Sequence, residues 1–409
     1  MPWSQLYCPK RIYSRSLFYC MVQYVKRMIG IKSLYILGSL SLVLTSLMVM
    51  YTTFPDVQLT QLFHNKRQEF QRDYSKNSNS TTCLILVWTL WCTHTYRHVG
   101  YVFGNCSESR CEMTVDKTRI NDAAAVIFWG QSEEFVSGDI PAYHAPSQIW
   151  VFVTREAVLR GYFQKMNFAK TRFAINRTMT YKLDSDIPWP YGYMTSQPGQ
   201  MHELKRKPRI ATWLVSHCDA QSMRMSYVKD LQRYVSVDIY GRCGNHSICS
   251  RDTKKDRDGC MKYLSDSYMF YIAFENSDCK DYITEKVWTN ALLHKMIPVV
   301  RGRMTNFSAH LPPGSFIHAD EFATPELLGR YLMKVHSNPT LYSKYHAWRK
   351  TMSIQAAGQT FFKCALCEAI HRFRASQEKK TVDLLEFLDD RNQCFKYRSD
   401  LEEKFFKTV

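Results

Sequence analysis

Residues 270–301 read FYIAFENSDCKDYITEKVWTNALLHKMIPVVR. The run from Tyr268 to Phe274 is apolar and aromatic, the composition of a buried strand. A polar loop follows from Glu275 to Tyr282, with one cysteine at 279. A helix is expected next. Thr284 can cap it, Glu285 falls in its first turn, Val287, Ala291 and Leu292 share a face, and Lys295 falls in the last turn. Ile297-Pro298-Val299-Val300 predicts a second short strand. Strand, loop, helix and strand form one βαβ unit of a parallel sheet. Ligands of such sheets sit beyond the carboxyl ends of the strands. That edge carries Glu275, Asn276, Tyr282, Glu285 and Lys286. It has no glycine fingerprint, so ordinary dinucleotide binding is not the reading.

A helix N-terminus draws phosphate, because its free N–H groups and dipole point outward. Lys286 adds a full positive charge there. Glu285 cannot hold phosphate, but a carboxylate accepts hydrogen bonds from sugar hydroxyls. Tyr282 and Tyr271 offer flat faces or hydroxyls, and Asn276 an amide. This set suits a sugar nucleotide, although a surface Glu–Lys pair at any helix start would share much of it. The order of the residues is more specific. Phe274-Glu275-Asn276 followed by Asp281-Tyr282-Ile283-Thr284-Glu285-Lys286 resembles the donor-binding segment of the alpha-1,3-fucosyltransferases, glycosyltransferase family ten, whose pattern is an FEN and then a DYxTEK.

The chain has 409 residues, room for two domains of ordinary size plus extras, and a net charge of +17. No basic run, zinc spacing or RNA-binding motif supports nucleic acid, so the excess points to an anionic small substrate or a membrane surface. Residues 33–54 are uncharged and mostly apolar, long enough to span a bilayer of about 30 Å. Lys10, Arg11, Arg15, Lys26, Arg27 and Lys32 precede this stretch and Asp56 follows it. The positive-inside rule then predicts a single-pass type II signal-anchor with the catalytic part in the lumen. A cleaved signal peptide would have a shorter apolar region nearer the start. Of 14 cysteines, 12 follow the span, which fits disulfides in an oxidising lumen. Asn79, Asn176, Asn245 and Asn306 begin glycosylation sequons, and Asn105 a poorer one. Together these features argue for the secretory pathway, and the resemblance implies the Golgi membrane.

The domain reading follows. Residues 1–32 are a cytoplasmic tail, 33–54 the anchor and 55–82 a polar stem. Buried strands are expected at Cys83–Trp88, Ala123–Trp129 and Gln148–Val153, making 83–195 a first α/β domain. Further strands at Arg209–Ser216 and Val235–Tyr240 enclose a helix over Ser222–Tyr234, where apolar residues recur at 223, 227, 231 and 234. With the opening stretch and a mostly helical segment from Pro325 to Glu368, residues 196–375 form a second α/β domain. Residues 376–409 are a C-terminal tail. Pattern alone gives two α/β domains. The resemblance makes them GT-B-like, two Rossmann-like domains facing a cleft, one for the acceptor and one for GDP-fucose.

The resemblance also covers single residues. Asn176-Arg177-Thr178-Met179-Thr180-Tyr181, then Asp184-Ser185-Asp186 and Pro190-Tyr191-Gly192, are similar to a family segment, and Tyr181 becomes a donor contact by analogy. Asp184 and Asp186 also look like the DxD of metal-dependent transferases. A turn cap is the commoner origin of such a triplet, and the two are read as loop-ordering groups. No metal ligand is assigned and no cofactor is required; a divalent ion would act only as a stimulant. Arg224 lies a family-like distance after the strand end at Ser216, and the two are expected to hold the diphosphate, for which the Arg fork of donors is well suited. Glu156 follows the third strand at its carboxyl end, where the family has a Glu-Ser-Pro whose carboxylate is the proposed base. Here the tripeptide is Glu156-Ala157-Val158: the Glu stays and the Ser-Pro does not. Cys364 and Cys367 form a CxxC without a thioredoxin-like surround; the family pattern joins Cys106 to Cys364 and Cys111 to Cys367. Cys243, Cys249, Cys260 and Cys279 cluster around the second domain, where pairing among themselves is open and the sequence does not fix the partners.

The resemblance implies transfer of L-fucose from GDP-fucose to the 3-hydroxyl of a GlcNAc residue in an N-glycan, core or antenna, with inversion. Arg224 and Lys286 would stabilise the departing diphosphate. Glu285 and Asn276 would hold sugar hydroxyls, Tyr271, Tyr181 and Tyr282 would line the donor pocket, and Glu156 would take the acceptor proton. The competing reading is a membrane-anchored glycan-binding protein that kept the scaffold and lost catalysis. Oligomeric state stays open, with a homodimer among the arrangements the sequence allows.

Overall fold

The structure, a computed structural model, describes residues 82–397 apart from 90–102, 160, 162, 200–206, 245–248, 250–256 and 377. The expected tail and anchor over 1–54, nearly all of the stem, Asn79 and Asn245 lie outside the described residues. Among the described residues, no helix is long and apolar enough to cross a membrane.

Six strands form the first sheet: β1 Cys83–Val87, β2 Cys111–Thr114, β3 Ala125–Trp129, β4 Ile149–Thr154, β5 Arg177–Thr180 and β6 Ile187–Pro188. Their order is β2-β1-β3-β4-β5-β6, and every pair is parallel. β1, β3 and β4 are buried along their whole length, as a sheet covered on both faces requires. Alternate side chains sort to the two faces. Leu84, Leu86, Val126, Phe128, Trp150 and Phe152 pack toward Phe135 and Phe163. Ile85, Val87, Ile127, Val151 and Val153 pack under Phe362, Leu366 and Ile370.

Those last three residues belong to a helix at Gln359–Ser376. The sequence placed this helix with the second domain; its packing places it on the first. Two disulfides, Cys106–Cys364 and Cys111–Cys367, fasten it there.

The second sheet holds β7 Arg209–Leu214, β8 Val237–Tyr240, β9 Tyr268–Ile272, β10 Ile297–Val300 and β11 Ile317–His318. Its order is β11-β10-β9-β7-β8, again all parallel. The chain runs outward one way from β7 to β8 and the other way from β9 to β11. The reversal lies between β7 and β9, and the crevice beyond their carboxyl ends is the expected ligand position of an open α/β sheet. The first sheet has the same form, with its reversal between β1 and β3.

The expected strands and the helix after β7, α1 Arg224–Leu231, are present. The two-residue strands β6 and β11 are additions, and so are β2 and β5. Their sequences, CEMT and RTMT, lack the apolar pattern, yet both are almost wholly buried. In β5 the polar groups find partners. Thr178 Oγ1 and Asp186 Oδ2 lie 3.0 Å apart, and the Arg177 guanidinium reaches the carboxylate of Glu378.

The segment read as a C-terminal tail is in part a strap across both domains. Val382 N donates to Ile175 O at 2.8 Å, and Arg172 pairs with Asp383 in the first domain. Further on, Cys394 is bonded to Cys279, and Tyr397 donates its hydroxyl to Asp278 at 2.9 Å in the second. The other pairs are Cys218–Cys243 and Cys249–Cys260. Cys243 and Cys279 do not pair within their own cluster: their partners are Cys218 and Cys394, residues brought near only by the fold.

Candidate functional site

The crevice at the second reversal is built from the ends of β7 and β9. Arg224 starts α1 just after Met223, whose φ of 51° turns the chain sharply. Its guanidinium is buried and clamps both strand ends: Nη1 donates to Phe274 O at 2.8 Å and Nη2 to His217 O at 3.0 Å. Nε is buried with no acceptor. Burial pushes this guanidinium's pKa down, and the carboxylates of Glu275 and Glu285 act against that. Ser216 lies half-buried in the loop after β7. Ser222 ties that loop to the next, donating its hydroxyl to Glu275 O at 2.6 Å.

The loop after β9 is organised by Glu275. Its carboxylate is buried and accepts from Thr284 N at 2.8 Å, from Thr284 Oγ1 at 2.8 Å and from Lys286 Nζ at 2.8 Å. Lys286 Nζ also lies 2.7 Å from Thr284 Oγ1 and 3.2 Å from Glu285 Oε1. Burial raises the Glu275 carboxyl, with Lys286 opposing. Burial would likewise lower the Lys286 ammonium, but Glu275 and Glu285 outweigh it and leave it raised. In this hydrogen-bonded network each buried charge has an opposite neighbour. Asn276 is half-buried, and its Oδ1 is buried without a donor.

The helix that follows departs from expectation. Residues Lys286–Leu293 wind as a π-helix, a form often found at functional sites. Thr284 does not cap it, because its hydroxyl is spent on Glu275. Lys295, expected in the last turn, instead lies two residues beyond the end of the element, with a φ of 57°. Trp288 on this helix packs against Gly192 so closely that a Cβ there would lie 2.5 Å from its ring, so the site tolerates only glycine.

The first domain meets this loop through aromatic groups. Tyr282 donates its hydroxyl to Glu156 Oε2 at 3.4 Å, and its ring stands edge-on to Tyr181 at 4.9 Å and to Tyr191 at 6.4 Å. Burial raises the pKa of all three phenols, so they remain protonated. Glu156 lies two residues beyond β4, its N–H donating to Thr154 Oγ1 at 3.1 Å. Where the family has Ser-Pro, Ala157, Val158 and Leu159 are all buried in the core. Hydrophobic packing thus fixes this loop's path.

Glu156, Tyr181, Tyr282, Glu285 and Lys286 are thus brought together, with Arg224 and Asn276 beside them. Tyr271 is not a surface of this pocket. It is fully buried in β9 and receives the Asn290 amide at 3.1 Å on its hydroxyl. Asp184 pairs with Lys280 at 3.0 Å, whereas Asp186 accepts from Thr178 N at 2.9 Å and pairs with Lys380. The two carboxylates order different parts of their loop. The sequence reading gave no role to two groups, Glu275 and Arg155. The first was visible as the acid of the FEN string. The second had no signal beyond its place before Glu156. Of the described sequons, Asn306 is exposed, while Asn176 is half-buried and accepts from Trp150 N at 2.6 Å.

A crevice of cations and carboxylates at a reversal between parallel strands, faced by a second doubly wound domain, is the form of a nucleotide-sugar transferase. The comparisons narrow this. Residues 80–192 match the family model for the N-terminal part of fucosyltransferases, and residues 204–387 match that for the C-terminal part of glycosyltransferase family 10 (fucosyltransferase). A glycoprotein 3-alpha-L-fucosyltransferase A of Drosophila melanogaster is 33% identical over 66% of this chain and 52% of its own length, so the chain spans about half of that relative. A 3-galactosyl-N-acetylglucosaminide 4-alpha-L-fucosyltransferase of Pongo pygmaeus is 34% identical over 70% of this chain and 75% of its own. A crystal structure of an alpha1,3-fucosyltransferase with GDP shares the fold, with a TM-score of 0.50 at 17% identity over 75% of this chain and 94% of that one. The chain belongs to glycosyltransferase family 10, the fucosyltransferases.

Proposed function

We propose that the chain transfers L-fucose from GDP-fucose to the 3-hydroxyl of a GlcNAc residue in a glycoprotein N-glycan, with inversion to an α linkage. The observation that supports this most is the meeting of Glu156, on the first domain, with the Tyr282 hydroxyl of the donor loop. The GDP diphosphate lies against Arg224, Lys286 and Ser216. Asn276, whose buried Oδ1 has no donor, and Glu285 receive sugar hydroxyls. Tyr181 and Tyr282 wall the fucose. The acceptor O3 attacks fucose C1 as the bond from C1 to the β-phosphate oxygen breaks. Glu156 takes the proton from O3, and GDP departs with its added negative charge held by the cations. Core and antennal GlcNAc both fit this chemistry.

No metal enters the reaction, since cationic side chains carry the leaving-group charge. The two domains work as a GT-B pair in the Golgi lumen, held to the membrane by residues 33–54, and Asn306 carries a glycan. Product analysis tests the reading. NMR of the fucosylated glycan should show an α-L-fucosyl group on O3 of GlcNAc, formed at the same rate with EDTA present. A β linkage would overturn the inverting reaction, and loss of activity in EDTA would return Asp184 and Asp186 to consideration as metal ligands.

A further inference from the structure

The donor loop is held from outside as well as at its base. Glu275, Thr284 and Lys286 close the base. The end of the strap holds the middle. Asp278–Cys279 and Cys394–Phe395 pair as two short antiparallel strands. Lys280 N donates to Gln393 O at 2.7 Å, and the Cys279–Cys394 disulfide joins loop and strap covalently. Both cysteines are buried. Beside them the Tyr397 hydroxyl donates to Asp278 Oδ2 at 2.9 Å.

This grip passes directly to the site. Cys279 O accepts from Tyr282 N at 3.0 Å, and the Tyr282 hydroxyl reaches Glu156 Oε2 at 3.4 Å. Between the two cysteine and tyrosine positions stands Asp281, with a φ of 61°. A residue other than glycine keeps that conformation only where its surroundings impose it. Leu183 N donates to Asp281 Oδ2 at 3.2 Å on one side, and the strap restrains the other. The strap's earlier part is seated on the first domain, through Val382 N on Ile175 O and the Phe387 ring edge-on to Phe152 at 6.5 Å. It thus joins the same two domains that meet at Glu156 and Tyr282. A staple that served stability alone could end anywhere on the second domain. This one ends inside the donor loop, three residues before Tyr282. We propose that the strap end, residues 393–397, is a positioning element for the transfer: through Cys279 it fixes the turn from which Tyr282 presents its hydroxyl to Glu156. This rests on the reading of Glu156 as base and of Tyr282 as a wall of the donor pocket.

The test uses the full-length chain in detergent. The parent is compared with Cys279→Ala plus Cys394→Ala, with Tyr282→Phe, and with all three changes together. Alanine leaves neither a thiol that could mispair nor a buried hydroxyl. Fucose-transfer kcat, GDP affinity by calorimetry and thermal unfolding are measured for each, with rates taken well below the unfolding temperature. Misplacing a reacting group by about 1 Å can cost about 10²-fold in rate, so the alanine pair should lower kcat on the order of 10–10²-fold. Its GDP affinity should stay near the parent's, because Arg224 and Lys286 are held by contacts the strap does not make. In the Tyr282→Phe background the same pair should cost clearly less than in the parent, as groups acting through one another are not additive. If the pair does not fold, Tyr397→Phe keeps the disulfide, removes one grip on the loop and should show the same pattern with a smaller loss. Parent-level kcat in the folded alanine pair, or in Tyr397→Phe where the pair does not fold, overturns the proposal. So does a loss that adds in full to that of Tyr282→Phe, or a loss of GDP affinity with kcat unchanged. Absence of transfer by the parent chain itself would instead overturn the fucosyltransferase reading beneath it.

Discussion

Glu156→Gln should lower kcat by about 10²–10⁴-fold, the usual contribution of a positioned general base, while GDP binds as before. The amide has nearly the shape of the carboxylate and can still accept from the Tyr282 hydroxyl, which lies 3.4 Å from Oε2. It cannot accept the proton from the attacking hydroxyl. The carboxylate also sits apart from the Glu275–Lys286 network that shapes the donor loop, so its loss leaves that loop intact. Turnover, GDP affinity by calorimetry and thermal stability are the three readings required. Full turnover by the folded variant would remove Glu156 from the mechanism.

Lys286→Ala should act first on stability. The sequence suggests a surface cation free to meet phosphate. The structure buries Lys286 with Glu275 Oε2 at 2.8 Å and Glu285 Oε1 at 3.2 Å. Removing one partner of a buried ion pair leaves uncompensated charge and costs roughly 3–5 kcal/mol. Here two carboxylates lose their cation, so the variant belongs at the upper end of that range. Denaturant unfolding should show the loss, and donor binding should weaken with it. Adding Glu275→Gln to Lys286→Ala should recover part of the stability, because it removes one stranded charge and keeps an acceptor for Thr284. The folded ammonium has a raised pKa, so its contribution is full at neutral pH and fades only as alkaline pH passes that value. A Lys286→Ala variant as stable as the parent chain would contradict the network.

The parallel strands were legible because a strand covered on both faces needs an unbroken apolar run, and β1, β3, β4 and β9 have one. β5 was not, since Arg177, Thr178 and Thr180 are polar and earn burial only through Asp186, Ser185 and Glu378. Ser185 and Asp186 lie in the loop just after the strand, and Glu378 is 201 residues on from Arg177. The same limit hid the place of the helix at Gln359–Ser376. Its apolar face says that it packs, and only the family's disulfide pattern suggested where. Cys279 lies inside the recognised donor segment, yet its partner Cys394 is in a stretch that reads as a tail.

The donor-like segment itself was readable as a string, and the string lies at the crevice beyond the ends of β7 and β9. The duties within it were harder to read. Glu275 looked like a neighbour of the site and is the group on which the loop closes. Tyr271 has a polar head and a flat face, as a sugar contact should, but its position in the central strand places it in the core with Asn290. Arg155 drew no reading from the sequence, because an Arg beside a carboxylate ordinarily signals solvent, yet it is buried. The aromatic faces that hold it come from Trp189 and Tyr191, more than thirty residues on.

The central claim is best tested by incubating the full-length chain with GDP-fucose and a panel of GlcNAc-terminated and core N-glycans, then reading product mass. A gain of one deoxyhexose on at least one of them is the predicted result, and the glycan that gains it names the acceptor. GDP binding with no gain on any glycan would contradict the account and favour a glycan-binding protein on a transferase scaffold.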